Sequence, residues 1–150
     1  MTPFTLTDFV AERNRIEGIT RAPWEIEVLA HVNFLTLEKV TIPDLALFVR
    51  DVAPGAVLRD RKGLDVRVGK YTPPPGGPQI RSDLELLLDP VAIRYWTVYD
   101  IHIAYETLHP FTDGNGRSGR ALWLWQMGGI EKVPLGFLHT FYYQALGASR

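Results

Sequence analysis

Residues 109–120, His-Pro-Phe-Thr-Asp-Gly-Asn-Gly-Arg-Ser-Gly-Arg, constrain this chain more than any other stretch. They lie between two segments whose apolar residues recur at helical spacing, and they hold one proline and three glycines. The chain must leave one helix, turn, and start another, with His109, Asp113, Arg117 and Arg120 fixed at the junction. The first amides of the second helix have no partners within it. Together with the helix dipole they form a ready anion site. Gly114 and Gly116 lack a Cβ, so the backbone can approach a phosphate closely, and Asn115 adds a neutral side-chain donor. Arg117 and Arg120 stand three apart and share a helix face, and their forked donors suit phosphate oxygens better than lysine would.

Asp113 is a hard oxygen ligand beside this nest. Mg²⁺ takes one or two carboxylates plus substrate phosphates, so a single aspartate suffices. His109, at the end of the preceding helix, can serve as a general base near neutral pH. Phe111 is expected to point into the core and pin the loop, which Pro110 stiffens. Taken singly, these residues read as a helix cap, a turn and a solvated pair of cations. In this order, between two helices, they predict a site that holds a nucleoside triphosphate and transfers part of it.

The rest of the chain predicts an all-α domain with one small β excursion. Thr7 or Asp8 can cap a first helix through Phe9, Val10 and Ile16, which Gly18 ends. A second helix is expected from Pro23 to about Glu38, with Trp24, Val28, Val32 and Leu35 at helical spacing. A third starts near Pro43 and carries Leu45, Phe48, Val49 and Val52 up to Pro54-Gly55. Segment 56–80 differs: Val66-Arg67-Val68 alternates like a short strand, and prolines and glycines follow. Ser82 and Glu85 form a capping box for a short helix with Leu84, Leu87 and Leu88. Asp89-Pro90 opens a long helix to about Leu108, with Ala92, Trp96, Tyr99 and Ile103 on one side. After the loop, a helix from near Gly116 runs through Ala121, Leu122, Leu124 and Trp125 to Gly128-Gly129, and a last one spans roughly Pro134 to Leu146. His31, His102 and His139 have no ligand-like spacing and read as structural, and the four tryptophans as core and interface anchors.

Bulk properties narrow the partners. The 150 residues suggest one domain, able to bury a core without staples. The net charge of −1 gives no global pull toward nucleic acid or anionic membrane. The absence of cysteine excludes disulfides and thiolate metal sites. No apolar run approaches a membrane span, and Met1–Thr5 lacks a basic stretch leading into an apolar one, so a cytoplasmic protein is expected.

The loop resembles the Fic (Fic/Doc) signature, His-x-Phe-x-Asp/Glu-Gly-Asn-x-Arg-x-x-Arg, at every defining position from His109 to Arg120. Such proteins are mostly helical and typically transfer AMP from ATP to a Ser, Thr or Tyr hydroxyl of a target protein. The resemblance implies a single Fic domain over 1–150, with His109 as the base and Asp113 holding Mg²⁺. It implies Gly114, Asn115 and Gly116 around the α- and β-phosphates, Arg117 toward the β/γ region and Arg120 on the γ-phosphate. Doc-like kinases carry a lysine-bearing variant of the Gly-Asn-Gly segment, so Gly116 favours AMP transfer.

Two further segments match. Residues of about 65–80, with Val66, Val68, Gly69 and Tyr71, resemble the Fic flap, a β-hairpin that binds the target protein's backbone as an added strand. Residues of about 8–18 resemble the inhibitory helix, whose pattern is Ser/Thr-x-x-x-Glu-Gly/Asn. Glu17 and Gly18 fit it, and Arg13 stands where Ser or Thr is expected. The resemblance implies that Glu17 pairs with Arg120 and blocks the γ-phosphate. Removal of AMP by hydrolysis, another nucleotide donor, and a non-catalytic nucleotide- or peptide-binding module of toxin–antitoxin type remain alternatives. Self-modification and a homo-oligomer are also left open, and the loop sees phosphates rather than the base.

Overall fold

Three helices begin on a threonine followed three residues later by an aspartate. The hydroxyls of Thr5, Thr41 and Thr97 accept from the amides of Asp8, Asp44 and Asp100, whose carboxylates return to the threonine amides. Each reciprocal box satisfies orphan amides and sets a negative charge at the positive helix end. In the computed structural model, which describes residues 5–129, six helices follow one another: α1 (Leu6–Ile16), α2 (Glu25–Leu35), α3 (Ile42–Val52), α4 (Pro78–Leu88), α5 (Val98–Leu108) and α6 (Asn115–Met127).

The core forms where α3, α4, α5 and α6 meet. Leu45, Phe48, Val49 and Val52 of α3 pack with Ile80, Leu84 and Leu87 of α4, Ile101, Tyr105 and Leu108 of α5, and Ala121 and Leu122 of α6. Each Leu-sized side chain buried there contributes about 1.5–3 kcal/mol. α5 and α6 run antiparallel: Tyr105 meets Ser118 at 2.6 Å, and Val98 and Met127, at their far ends, pack against one cluster. That cluster is Phe9 of α1 with Trp123 and Leu124 of α6, and it seats α1 on α6. The outcome is the all-α fold expected, with the loop of interest at one end of the α5–α6 hairpin.

Several expectations need correction. α1 is capped by Thr5 rather than Thr7 or Asp8. α2 ends at Leu35 and buries Glu27, Ala30, His31 and Phe34, while Trp24 and Val32 are exposed. The reason is that apolar residues surround this helix, so periodicity marked no single face. α4 starts at Pro78 after Gly77, which leaves Ser82 and Glu85 inside the helix rather than at its cap. The long helix from Asp89-Pro90 does not form: residues 90–95 make turns, and the Thr97 box starts α5 afresh. The flap hairpin is reduced to one antiparallel bridge, Val68 with Tyr71, closed over Gly69 and Lys70. Trp24 and Trp96 lie half exposed; Trp24 stacks under the Arg21 guanidinium at 3.4 Å, and Trp123 alone of the four is fully buried. The helix expected over 134–146, and His139 with it, lies outside the described residues. Among the described residues no helix is long and apolar enough to cross a membrane.

Candidate active site

The loop is held by the segment that follows α3. The Arg59 amide donates to the Pro110 carbonyl at 2.8 Å, and the Thr112 amide donates to Val57 at 2.9 Å. Leu58 and Phe111 form an antiparallel bridge between these bonds. His109 caps α5 in the left-handed conformation (φ 52°, ψ 62°), the one non-glycine residue with positive φ among the described residues. Such a conformation is uncommon outside glycine and is sustained where the surroundings enforce it. The enforcing group is Arg59. Its buried guanidinium donates to the carbonyls of His109 (2.7 Å) and Leu108 (2.9 Å) at the helix end, and to Leu64 (3.1 Å) and Pro74 (2.9 Å) at the base of the flap. One side chain thus fixes the flap, the end of α5 and the His109 backbone together.

Asn115 closes the loop from the other side. Its Oδ1 accepts from the Phe111 amide at 2.8 Å, and its Nδ2 donates to the Phe111 carbonyl at 2.7 Å. Phe111 is buried, as expected of a pin. The Asn115 side chain is therefore committed to the loop rather than facing a phosphate, and the residue's amide is what remains for an anion. Gly114 caps α6 with φ 77°, and a Cβ there would meet Ala53 at 3.1 Å and Val49 at 3.4 Å, so the loop crosses α3 where only glycine fits.

Charges converge on the start of α6. Arg120 is fully buried and its Nη2 pairs with the Glu17 carboxylate at the end of α1. That carboxylate sits against Gly116, where a Cβ would fall on its Oε1. A carboxylate of the protein itself thus occupies the mouth of the candidate anion site. Arg117 donates from Nη1 to the Val52 carbonyl and faces Asp113 across 3.7 Å. Burial first, then Arg120, pushes the His102 imidazole down to about 4, so it is neutral behind the site. Glu106, buried on α5, packs its carboxylate against Gly119, and its carbonyl lies 3.3 Å from His109 Nδ1.

Glu17, Val66, Val68, Glu106, His109, Thr112, Asp113, Gly114, Asn115, Gly116 and Arg117 line one cavity of about 380 Å³. Tyr71 is not among the residues that line it; its hydroxyl donates to the Thr107 carbonyl at 2.7 Å and anchors the flap to α5. Asp113 is largely exposed. Its Oδ1 accepts from the Gly114 amide at 2.7 Å, and Oδ2 takes no hydrogen bond among the described residues. No group of three or more His, Cys, Asp or Glu side chains among the described residues could hold a metal. One available carboxylate oxygen therefore fits an ion such as Mg²⁺ that draws its other ligands from phosphate and water.

Sequence reasoning did not find Arg59, Glu106 or the buried Tyr105–Ser118 pair that joins α5 to α6. Arg59 lies 50 residues from His109, and no local pattern announces it. Residues 42–127 match the Fic/DOC family, a span that holds the loop and the flap and excludes α1. No curated protein and no solved structure matches the chain.

Proposed function

The chain belongs to the Fic/DOC family, and from that premise we propose that it transfers AMP from ATP to a Ser, Thr or Tyr hydroxyl of a target protein, releases pyrophosphate, and is held back by Glu17. The observation that carries this reading is the single cavity in which His109, Asp113 and the start of α6 meet, with the Glu17 carboxylate inside it. The His109 Nδ1 faces the Glu106 carbonyl, which favours a proton on Nδ1 and leaves Nε2 to take the proton of the attacking hydroxyl. The hydroxyl oxygen bonds to the α-phosphorus as the bond to the pyrophosphate oxygen breaks. The amides at the start of α6 and the Arg117 and Arg120 guanidiniums stabilise the phosphate charge, and the chain's contribution is mostly positioning and electrostatics. Asp113 would hold Mg²⁺, which when bound neutralises phosphate charge. The flap backbone at Val66–Val68 borders the cavity and is the edge on which a target segment would pair.

The test is transfer of label from α-labelled ATP with Mg²⁺ to the protein itself or to lysate proteins. Glu17→Gly should raise the label by about tenfold or more, because it frees Arg120 and removes a like charge from the phosphate path. Glu17→Gly combined with His109→Ala should abolish transfer and keep ATP binding. ATP binding with no transfer by any form would replace this reading with a non-catalytic nucleotide-binding module.

A further inference from the structure

Arg13 stands one helical turn before Glu17 on α1, so the two side chains leave the same face. Its guanidinium is fully buried, and none of its three nitrogens has a hydrogen-bond partner among the described residues. A buried cation in that state is costly, and proteins seldom keep one without a counter-charge. The nearby acids are committed elsewhere. Glu17 pairs with Arg120. Glu27 accepts from Arg21 twice at 3.0 Å, from the Trp24 amide at 2.8 Å and from Asn14 at 3.5 Å. The charges that weigh most on Arg13 are Arg120 and Arg117, and burial together with these two holds it down to about 9, still cationic at neutral pH.

Three arginines thus act together behind the start of α6, and the two carboxylates that offset them at Arg13, Glu27 and Glu17, weigh less there than Arg120 and Arg117 and are each paired with another arginine. Asp113 faces Arg117 only from the exposed side. Among the described residues the positive charge at Arg13 is only partly offset, and no acid hydrogen-bonds its guanidinium. A terminal phosphate, with up to two negative charges, answers it better than the single charge of Glu17.

We infer that Arg13 is a specificity-determining residue of the anion site: a buried positive charge that makes the start of α6 favour the terminal phosphate of a polyphosphate ligand over the Glu17 carboxylate. It acts through the field on the phosphate: the same charge attracts the Glu17 carboxylate, but it attracts a terminal phosphate of up to two negative charges more strongly. The inference rests on the proposal that this site binds a nucleoside triphosphate.

The test uses the full chain with inorganic tripolyphosphate, ATP and AMP as probes, by calorimetry and thermal unfolding. Arg13→Met in the Glu17→Gly background should weaken tripolyphosphate and ATP by about tenfold or more and leave AMP unchanged. Arg13→Lys should recover part of the loss, because it restores the charge without the fork. Without ligand, Arg13→Met should unfold at the same or a higher temperature than its parent, since it removes an unpaired buried charge. A structural arginine would do the reverse, so a clear loss of ligand-free stability overturns the inference. So does equal polyphosphate affinity with and without Arg13. If the Glu17→Gly parent binds neither tripolyphosphate nor ATP, the proposed function falls and this inference with it.

Discussion

Replacing Asn115 with alanine separates two roles that the family resemblance merges. The side chain is 2% exposed and holds the buried Phe111 backbone through both its amide and its carbonyl, at 2.8 and 2.7 Å. Alanine removes both partners and leaves one donor and one acceptor buried. Each unsatisfied group costs about 1–3 kcal/mol, so the variant should lose about 2–6 kcal/mol, with the low end applying if water enters the space. A domain of this size holds about 5–15 kcal/mol in all, and the loss should lower Tm by roughly 4–24 °C. Asn115→Asp keeps an acceptor for the Phe111 amide but sets an oxygen against the Phe111 carbonyl, so it should be no better than alanine at neutral pH. Urea unfolding gives the free energy, and tripolyphosphate titration, scaled to the folded fraction, gives the site. Affinity in Asn115→Ala should fall by less than about threefold, because the phosphate-facing group is the amide at the helix start rather than the side chain. Stability within about 0.5 kcal/mol of wild type, or a large affinity loss in a fully folded variant, would refute the clamp reasoning.

Three further outcomes follow from packing and charge. Gly119→Ala places a Cβ on the buried Glu106 carboxylate and 3.0 Å from the Tyr105 ring, so the carboxylate must leave its buried place or α5 and α6 must move apart; denaturant unfolding should show a loss of about 1–3 kcal/mol, and unchanged stability would refute the tight packing of Glu106 against Gly119. Arg59→Met leaves four carbonyls without their donor, and Arg59→Lys cannot replace a fork that spans them; both should speed amide hydrogen exchange at Val68 and Tyr71, and unaltered exchange would deny that Arg59 couples flap to loop. Burial holds His31 at about 3 and His102 at about 4, below the ordinary 6.5, so both stay neutral in the fold while the unfolded chain takes up protons. Their stability contribution is complete above about pH 6.5 and is lost as pH falls toward about 4 for His102 and about 3 for His31. His31→Gln and His102→Gln should flatten the stability–pH slope in that window relative to wild type, and parallel slopes would show that neither histidine is buried neutral.

How far the sequence reveals this molecule depends on whether a signal is local. α3 was legible because Pro43 fixes its first turn and Leu45, Phe48, Val49 and Val52 form a single buried stripe. The starts of α1 and α5 carry an equally local sign, the Thr-x-x-Asp box, which outweighs Asp89-Pro90 and the polar residues nearer the apolar run. The buried face of α2 was not legible, since Glu27 goes inside only because Arg21, the Trp24 amide and Asn14 meet it there. The loop divides in the same way. Contiguous residues from His109 to Arg120 mark the candidate phosphate site, yet two groups packed against that loop, Arg59 and Glu106, come from other elements. Arg13 is the instructive case. As a letter it was a mismatch to the inhibitory pattern, and periodicity says nothing of why a helix would bury a charge. Only its placement beside Arg117 and Arg120, with every nearby acid already engaged, turns the mismatch into an argument about ligand charge. On the proposed reading, a polyanion would answer that buried charge, and the residue that supplies it is the one a pattern match discards.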